Sequence, residues 1–257
     1  MTTSLNFNGP RLISLLFIAL LSVEVLFVLG DATINVGRWI DSGPVRRFFN
    51  ITREDGVASW FAVTQTWMLG LTAALLYVVV KAKEGAVSRR VGWAILTMFF
   101  LYMAFDDGTL FHERIGSWVK ATVLGENADS RAIGIFPSYT WQLVFLPFFG
   151  SLGLFMLWFL NRELTTTNGK LLVVAAFGLL VVAVVADFFE GIEEGHVLDL
   201  YGWLKQALGT SLNRVRHYAK SFEEFLEMFA MTLLWIVLLR HLVHLSPTLT
   251  LEWRRQA

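Results

Sequence analysis

An all-α integral membrane bundle of about six transmembrane helices is the fold class this sequence predicts, and three observations predict it. The 257 residues are 55% hydrophobic but only 16% charged, with a mean hydropathy of +0.57, whereas a soluble domain carries about 25% charge. Long uncharged runs alternate with short polar segments, which is the pattern of a chain that crosses a bilayer repeatedly. Ten Trp residues suit rings that collect at the two headgroup interfaces. A soluble enzyme is excluded on these grounds. With no Cys in the chain, disulfides, thiolate nucleophiles and Cys-held metals are excluded too, so any metal must be held by His and carboxylates.

Crossing about 30 Å of hydrocarbon takes about 20 helical residues. The first segment long enough is Leu12 to Leu29. It exceeds the apolar core of a signal peptide and no small-x-small site follows it, so it reads as a retained helix. The second runs from Val57 to Val80, behind a T-x-x-D capping box at Thr52 to Asp55. Val91 to Phe105 and Leu171 to Ala186, the third and fifth, are short as apolar runs and must extend through the acids that follow them. Tyr139 to Leu160 is the fourth, with Pro137 and Ser138 at its start. The sixth is Phe225 to Leu239, and an S-x-x-E box at Ser221 to Glu224 is expected to begin it. Between the fifth and sixth, Leu198 to Leu208 reads as a short interfacial helix with Trp203 at headgroup depth. The whole chain, 1–257, is read as one transmembrane helical domain.

Charge orients the bundle. The N-terminus, the loops after the second and fourth helices and the C-terminus together hold ten Lys/Arg against three acids. Everything else holds eleven basic and eighteen acidic residues. The basic residues of the first group sit in short loops, which weigh most in the positive-inside rule, so both termini are expected to be cytoplasmic. The zero net charge carries no basic field, and no nucleic-acid partner is expected. The lipid bilayer is the expected environment, with protein partner subunits an open alternative.

On that topology the acids gather at the outer level. The third helix runs into Asp106, Asp107, His112 and Glu113; the fifth runs into Asp187, Glu190, Glu193, Glu194 and His196; the sixth opens with Glu223, Glu224 and Glu227. At 100° per residue, Asp106 and Glu113 share a face, as do Asp187, Glu190 and Glu194, and again Glu224 and Glu227. A carboxylate in hydrocarbon costs several kcal/mol, so these groups must be protonated, paired or bound to cations. Basic residues near this depth are few: Arg114, Arg214, Arg216 and Lys220. A divalent metal is the simplest neutraliser, and carboxylates with imidazole suit Fe, Mn, Zn or Cu without distinguishing them. The expected metal-ligating set is Asp106, Asp107, His112, Glu113, Asp187, Glu190, Glu194, His196, Glu224 and Glu227. Glu193-x-x-His196 has the spacing found in bundle di-metal sites. His241 and His244 read as structural residues at the other end of the last helix.

The run Phe105 to Arg114, with its D-D-x4-H-E element, resembles a group of uncharacterised bacterial multi-pass membrane proteins, as does E-E-x-x-E-M at Glu223 to Met228. That resemblance implies a bacterial inner-membrane location and the position of a site, and implies no activity. A weaker resemblance is to one of the membrane-embedded components of the copper membrane monooxygenases, which carries an Asp and a His near one helix end; here Asp107 and His112 are five apart and no His stands at Ser138 or Tyr139. The expected function is an integral membrane metalloprotein with an outward-facing carboxylate/His site, an enzyme acting on a lipid-like or small apolar substrate. Two alternatives stay open: a non-catalytic subunit of a larger membrane complex, and a proton or cation translocator.

Overall fold

The computed structural model describes residues 8–125 and 136–246. Among them lie nine α-helices: α1 (Gly9–Gly30), α2 (Gly43–Phe49), α3 (Val57–Ala82), α4 (Val87–Thr109), α5 (Phe111–Leu124), α6 (Thr140–Glu163), α7 (Thr167–Glu190), α8 (Leu200–Leu208) and α9 (Leu212–Leu245). A π-helical stretch, Asp31–Val36, prolongs α1. The helices α1 with its extension, α3, α6, α7 and α9 are each long and apolar enough to cross a membrane, and α4 with α5 makes a sixth span if that bent pair is one crossing. The chain is an all-α bundle of membrane-capable helices.

Lipid tails are as apolar as leucine, so burying apolar faces does not by itself drive these helices together; close packing and interhelical hydrogen bonds do. The longest helix, α9, is the axis of the assembly and packs against α1, α3, α7 and α8. Leu233, Leu234, Val237 and Leu238 of α9 meet Leu69, Ala73 and Leu76 of α3 in the main core. From α4, Trp93, Leu96 and Phe100 complete that core with Phe159 and Leu160 of α6. Two polar ties cross it. The Trp235 Nε1–H donates to Thr72 Oγ1 at 3.0 Å, and Glu24 accepts from Gln65 at 3.1 Å and from Thr232. Glu24 is fully buried, so the acid in the middle of α1 is held by neutral donors from α3 and α9. The opposite side of α1, with Leu15, Ile18, Leu26 and Leu29, is exposed, as a lipid-facing side should be.

Both expected capping boxes give way to other contacts. Gly56, which offers no side-chain cap, precedes α3. Thr52 turns back onto Asn50 Oδ1 at 2.9 Å, and Asp55 is claimed by Arg47 and by Arg53 at 2.7 Å. Ser221 lies inside α9, where its hydroxyl donates to the His217 carbonyl at 2.8 Å; the real cap is Ser211, which accepts from the Arg214 N–H at 3.3 Å. The polar stretch from Asn213 to Lys220 stays helical because its hydrophilic face lines a solvent-reached cavity. The third predicted helix also changes. Leu110 takes a positive φ of 54°, which a branched side chain adopts rarely, and there α5 turns away from α4 by 65°. Asp106 and Glu113 therefore do not share one helical face. The short helix expected near Trp203 is α8, capped by Asp199 Oδ1, which accepts from the Gly202 N–H at 2.7 Å.

The ends of the bundle are assigned by contact. Lys83, after α3, bonds the Leu245 carbonyl at the end of α9, and Arg89 at the start of α4 pairs with Glu163 at the end of α6 at 2.8 Å. The segments grouped above as the basic side thus share one end, which is called the basic end below, and the acids gather at the other. Residues 247–257, which hold Glu252, Arg254 and Arg255 of the charge count, lie outside the described residues, as do 1–7 and 126–135.

Candidate metal centre in an acidic cavity

A cavity of about 640 Å³ opens at the acidic end. Two helices present stripes to it at helical spacing: Glu113, Gly116, Ser117 and Lys120 from α5, and Asn213, Arg216, His217 and Lys220 from α9. Asp187 and Glu190 enter from α7, and Glu54 from the loop before α3. Gly116 permits the close approach of α5 to α6, since a Cβ there would come within 2.7 Å of the Trp141 backbone nitrogen.

The centre of the site is Lys220. Its Nζ lies 2.8 Å from Glu223 Oε1 and 3.6 Å from Glu224 Oε1. Asp187, Glu190 and Glu223 can each turn one carboxylate oxygen to within 4.8 Å of the others, close enough for one metal ion. Glu223 is buried, and its second oxygen, Oε2, has no hydrogen-bond partner. Asp187 accepts at 2.7 Å from Gln142 Nε2, which leaves the buried Gln142 Oε1 without a partner. A ligand that accepts lone pairs would satisfy both oxygens, and a cation is such a ligand. Asp107, Glu224 and Glu227 stand within electrostatic reach of one another, and Glu224 and Glu227 within reach of this group. Glu54 is reached by solvent at the mouth, yet crowding by protein pushes its carboxyl up to about 7, with the charges of Glu224 and Glu113 adding to the effect and Lys220 and His112 opposing it. Beside it, hydrogen bonds from Arg53 and Arg47 hold the Asp55 carboxyl well below the usual range.

Two Asp–His pairs flank the cavity. Asp106 is fully buried and reaches across the Leu110 break: its Oδ1 accepts the His112 backbone N–H at 2.9 Å, and its Oδ2 lies 2.6 Å from His112 Nδ1. The first N–H groups of a helix have no partner within it, so the conspicuous D-D-x4-H-E run is in part a cap for α5. Asp31 accepts from His217 Nε2 at 2.7 Å, from Ser221 Oγ at 3.1 Å, from Asn35 Nδ2 at 2.8 Å and from the Ile51 N–H at 3.4 Å. His217 belongs to the continuous α9 and not to a loop.

Of the ten expected ligands, the structure brings Asp187 and Glu190 together, joined by Glu223. Glu113 lines the same cavity as Asp187 and Glu190, Glu224 and Glu227 lie within electrostatic reach of the group, and Asp107 lies within reach of Glu224 and Glu227. Asp106 and His112 are engaged with each other. Glu194 pairs with Lys205 at 2.6 Å on the exposed surface, and His196 Nδ1 accepts from the Leu198 N–H at 3.1 Å in an exposed turn. The Glu-x-x-His spacing there falls after α7 has ended, where helical phase no longer applies. Sequence reasoning missed Glu54, which lies outside every span, and Gln142, whose only signal was an amide near the start of an apolar helix. Glu223 stands among the acids that open the last predicted helix but not among the expected ligands.

A family model described as a domain of unknown function, DUF8692, matches residues 15–242, and the chain belongs to that family. Comparison with curated proteins and with solved structures gave no match.

Proposed function

We propose that this DUF8692 protein is an integral membrane metalloprotein, with one divalent ion held by Asp187, Glu190 and Glu223 on the wall of the acidic cavity. The observation that carries this reading is the buried Glu223, whose Oε2 has no partner beside two further carboxylates within 4.8 Å. All the ligand atoms are oxygens, which suits Mg²⁺, Mn²⁺ or Ca²⁺ better than copper. Copper sites take imidazole, and no His belongs to the group of three that comes together. Such hard cations would lend themselves to hydrolysis as Lewis acids that polarise a substrate oxygen or a bound water. The reading is therefore a membrane hydrolase whose substrate enters at the level of the cavity. Around that centre, Gln142 orients Asp187, Lys220 neutralises Glu223 and Glu224, and Glu54 can hold or release a proton at the mouth near neutral pH.

The test is metal stoichiometry of the detergent-purified chain after equilibration with Mn²⁺ and removal of free ion. Wild type should retain about one ion per chain, while Glu223→Gln and Asp187→Asn should each bind at least about ten-fold more weakly, since a buried carboxylate ligand is lost. A wild type that retains no Mn²⁺, Mg²⁺ or Ca²⁺, or variants that retain as much as wild type, would sink the proposal.

A further inference from the structure

The cavity contains cations that its own acids do not use. Lys220 is taken by Glu223 and Glu224. Arg216 stands one turn away on the same face of α9, and Lys120 projects from α5. Among the described residues neither makes an ion pair, although Glu54, Glu113, Asp187 and Glu190 line the same space. The Arg216 Nε is buried and has no acceptor. A buried guanidinium N–H left unpaired beside several carboxylates indicates an acceptor that comes from outside the chain.

We propose that the cavity binds a phosphate group, that of a lipid headgroup, between Arg216 and Lys120 and next to the carboxylate cluster. A planar guanidinium and an ammonium lining one cavity match the oxygens of a phosphate, and Arg forms paired hydrogen bonds to it. The neutral hydrogen-bonding side chains of Thr52, Ser117 and Asn213 line the same mouth. On the metal reading, which this proposal extends, an ion held by Asp187, Glu190 and Glu223 would supply a further positive charge in the same region. The volume of about 640 Å³ accommodates a headgroup.

The source is a lipid because of the wall that α5 makes. Its polar stripe faces the cavity, while Phe111 and Trp118 on the opposite face are 38% and 66% exposed. One side of the site is thus a single amphipathic helix with its apolar back turned to the bilayer. An amphiphile can place its phosphate inside and its chains along that back.

The experiment is calorimetry on the full chain in detergent, with and without Mn²⁺, using dihexanoyl phosphatidic acid, inorganic phosphate and dihexanoylglycerol as separate probes. Phosphatidic acid should bind, and Arg216→Gln and Lys120→Gln should each weaken it by about ten-fold or more, the loss expected for a charge-assisted hydrogen bond. Arg216→Lys should restore part of the affinity. The Mn²⁺ stoichiometry of both Gln variants should equal that of wild type. Inorganic phosphate binding as tightly as phosphatidic acid would overturn the lipid assignment, and dihexanoylglycerol binding as tightly would overturn the phosphate. Affinities unchanged in both Gln variants would overturn the site. Because Mn²⁺ uptake is read separately, a chain that binds phosphatidic acid through Arg216 but takes up no metal refutes the metal centre and leaves this site standing.

Discussion

At the basic end of the bundle, Arg89 holds Glu163 through contacts of 2.8 to 3.0 Å, and His241 stacks on Trp93 with ring centroids 5.6 Å apart. At the acidic end, a loop and two helices contribute Glu54, Glu113, Asp187 and Glu190 to one space, and α9 brings in Lys220, which pairs with the buried Glu223. Both ends must offset the cost of taking ions out of water. The first does so with one cation for one anion in the Arg89–Glu163 pair, which fastens α4 to α6, and its buried atoms without partners, Arg90 Nε, Trp93 Nε1 and His241 Nε2, are all nitrogens. The second leaves carboxyl groups together and buried oxygens without partners, so its acids must be protonated, paired or bound to a cation. Excess charge of that kind inside a membrane protein is where function is sought. One-to-one pairing reads as architecture.

If that contrast holds, the largest stability effect belongs to the basic end. Arg89→Ala leaves Glu163, 4% exposed in its side chain, without its cation, and should destabilise the protein by about 3 kcal/mol in thermal unfolding in detergent. Mn²⁺ uptake at the other end should be unaffected. A variant as stable as wild type would show that this pair is not architectural.

The next effect tests a part of the acidic end that is built in the manner of the basic end. Asp31 is 1% exposed and accepts from four donors. Asp31→Ala should cost about 2 kcal/mol, because the Ile51 N–H and the His217 ring lose a buried acceptor, while the Ser221 hydroxyl keeps the His217 carbonyl. Unfolding by denaturant checks it. A neutral result would mean that water replaces the carboxylate and that the group is open like the cavity.

The smallest effect is a pH dependence. The Glu54 carboxyl sits at about 7, above its ordinary 4.5, so the folded state holds this proton more tightly than the unfolded state does. Its contribution to stability is complete below about pH 4.5 and is lost as pH rises through 7. Glu54→Gln should therefore flatten the fall in Tm between those pH values and match wild type most closely at the acidic limit. Solvent access to Glu54 keeps the effect small. Identical pH profiles for the two proteins would show that the acids do not crowd Glu54.

Much of this was legible before any coordinates. The apolar runs marked the membrane-capable helices, the short third and fifth runs extended through their acids to Thr109 and Glu190 as expected, and the carboxylates do collect at one end. Helical phase correctly put Asp187 with Glu190 because α7 is regular up to that point. It failed for Asp106 with Glu113 and for Glu190 with Glu194, in each case because the helix stops in between. The two S/T-x-x-D/E patterns misled for a related reason: a capping box is a local preference, and Arg47 and Arg53 in one case and Asp31 in the other supplied better partners from elsewhere.

Transfer of a side chain between water and lipid depends on that side chain and its near neighbours, so composition and order alone determined that the chain enters a membrane, roughly where its helices run and at which level its acids lie. Which acids meet is a different kind of quantity. Sequence spacing sets the angle between residues around their own helix, but the rotation of that helix about its axis is set by what it packs against. The turn at Leu110, the close seat of Gly116 on Trp141, the unbroken run of α9 past Ser221 and the arrival of Glu54 and Gln142 from distant segments were decided only when the helices came together, because each depends on contacts between residues far apart in the chain.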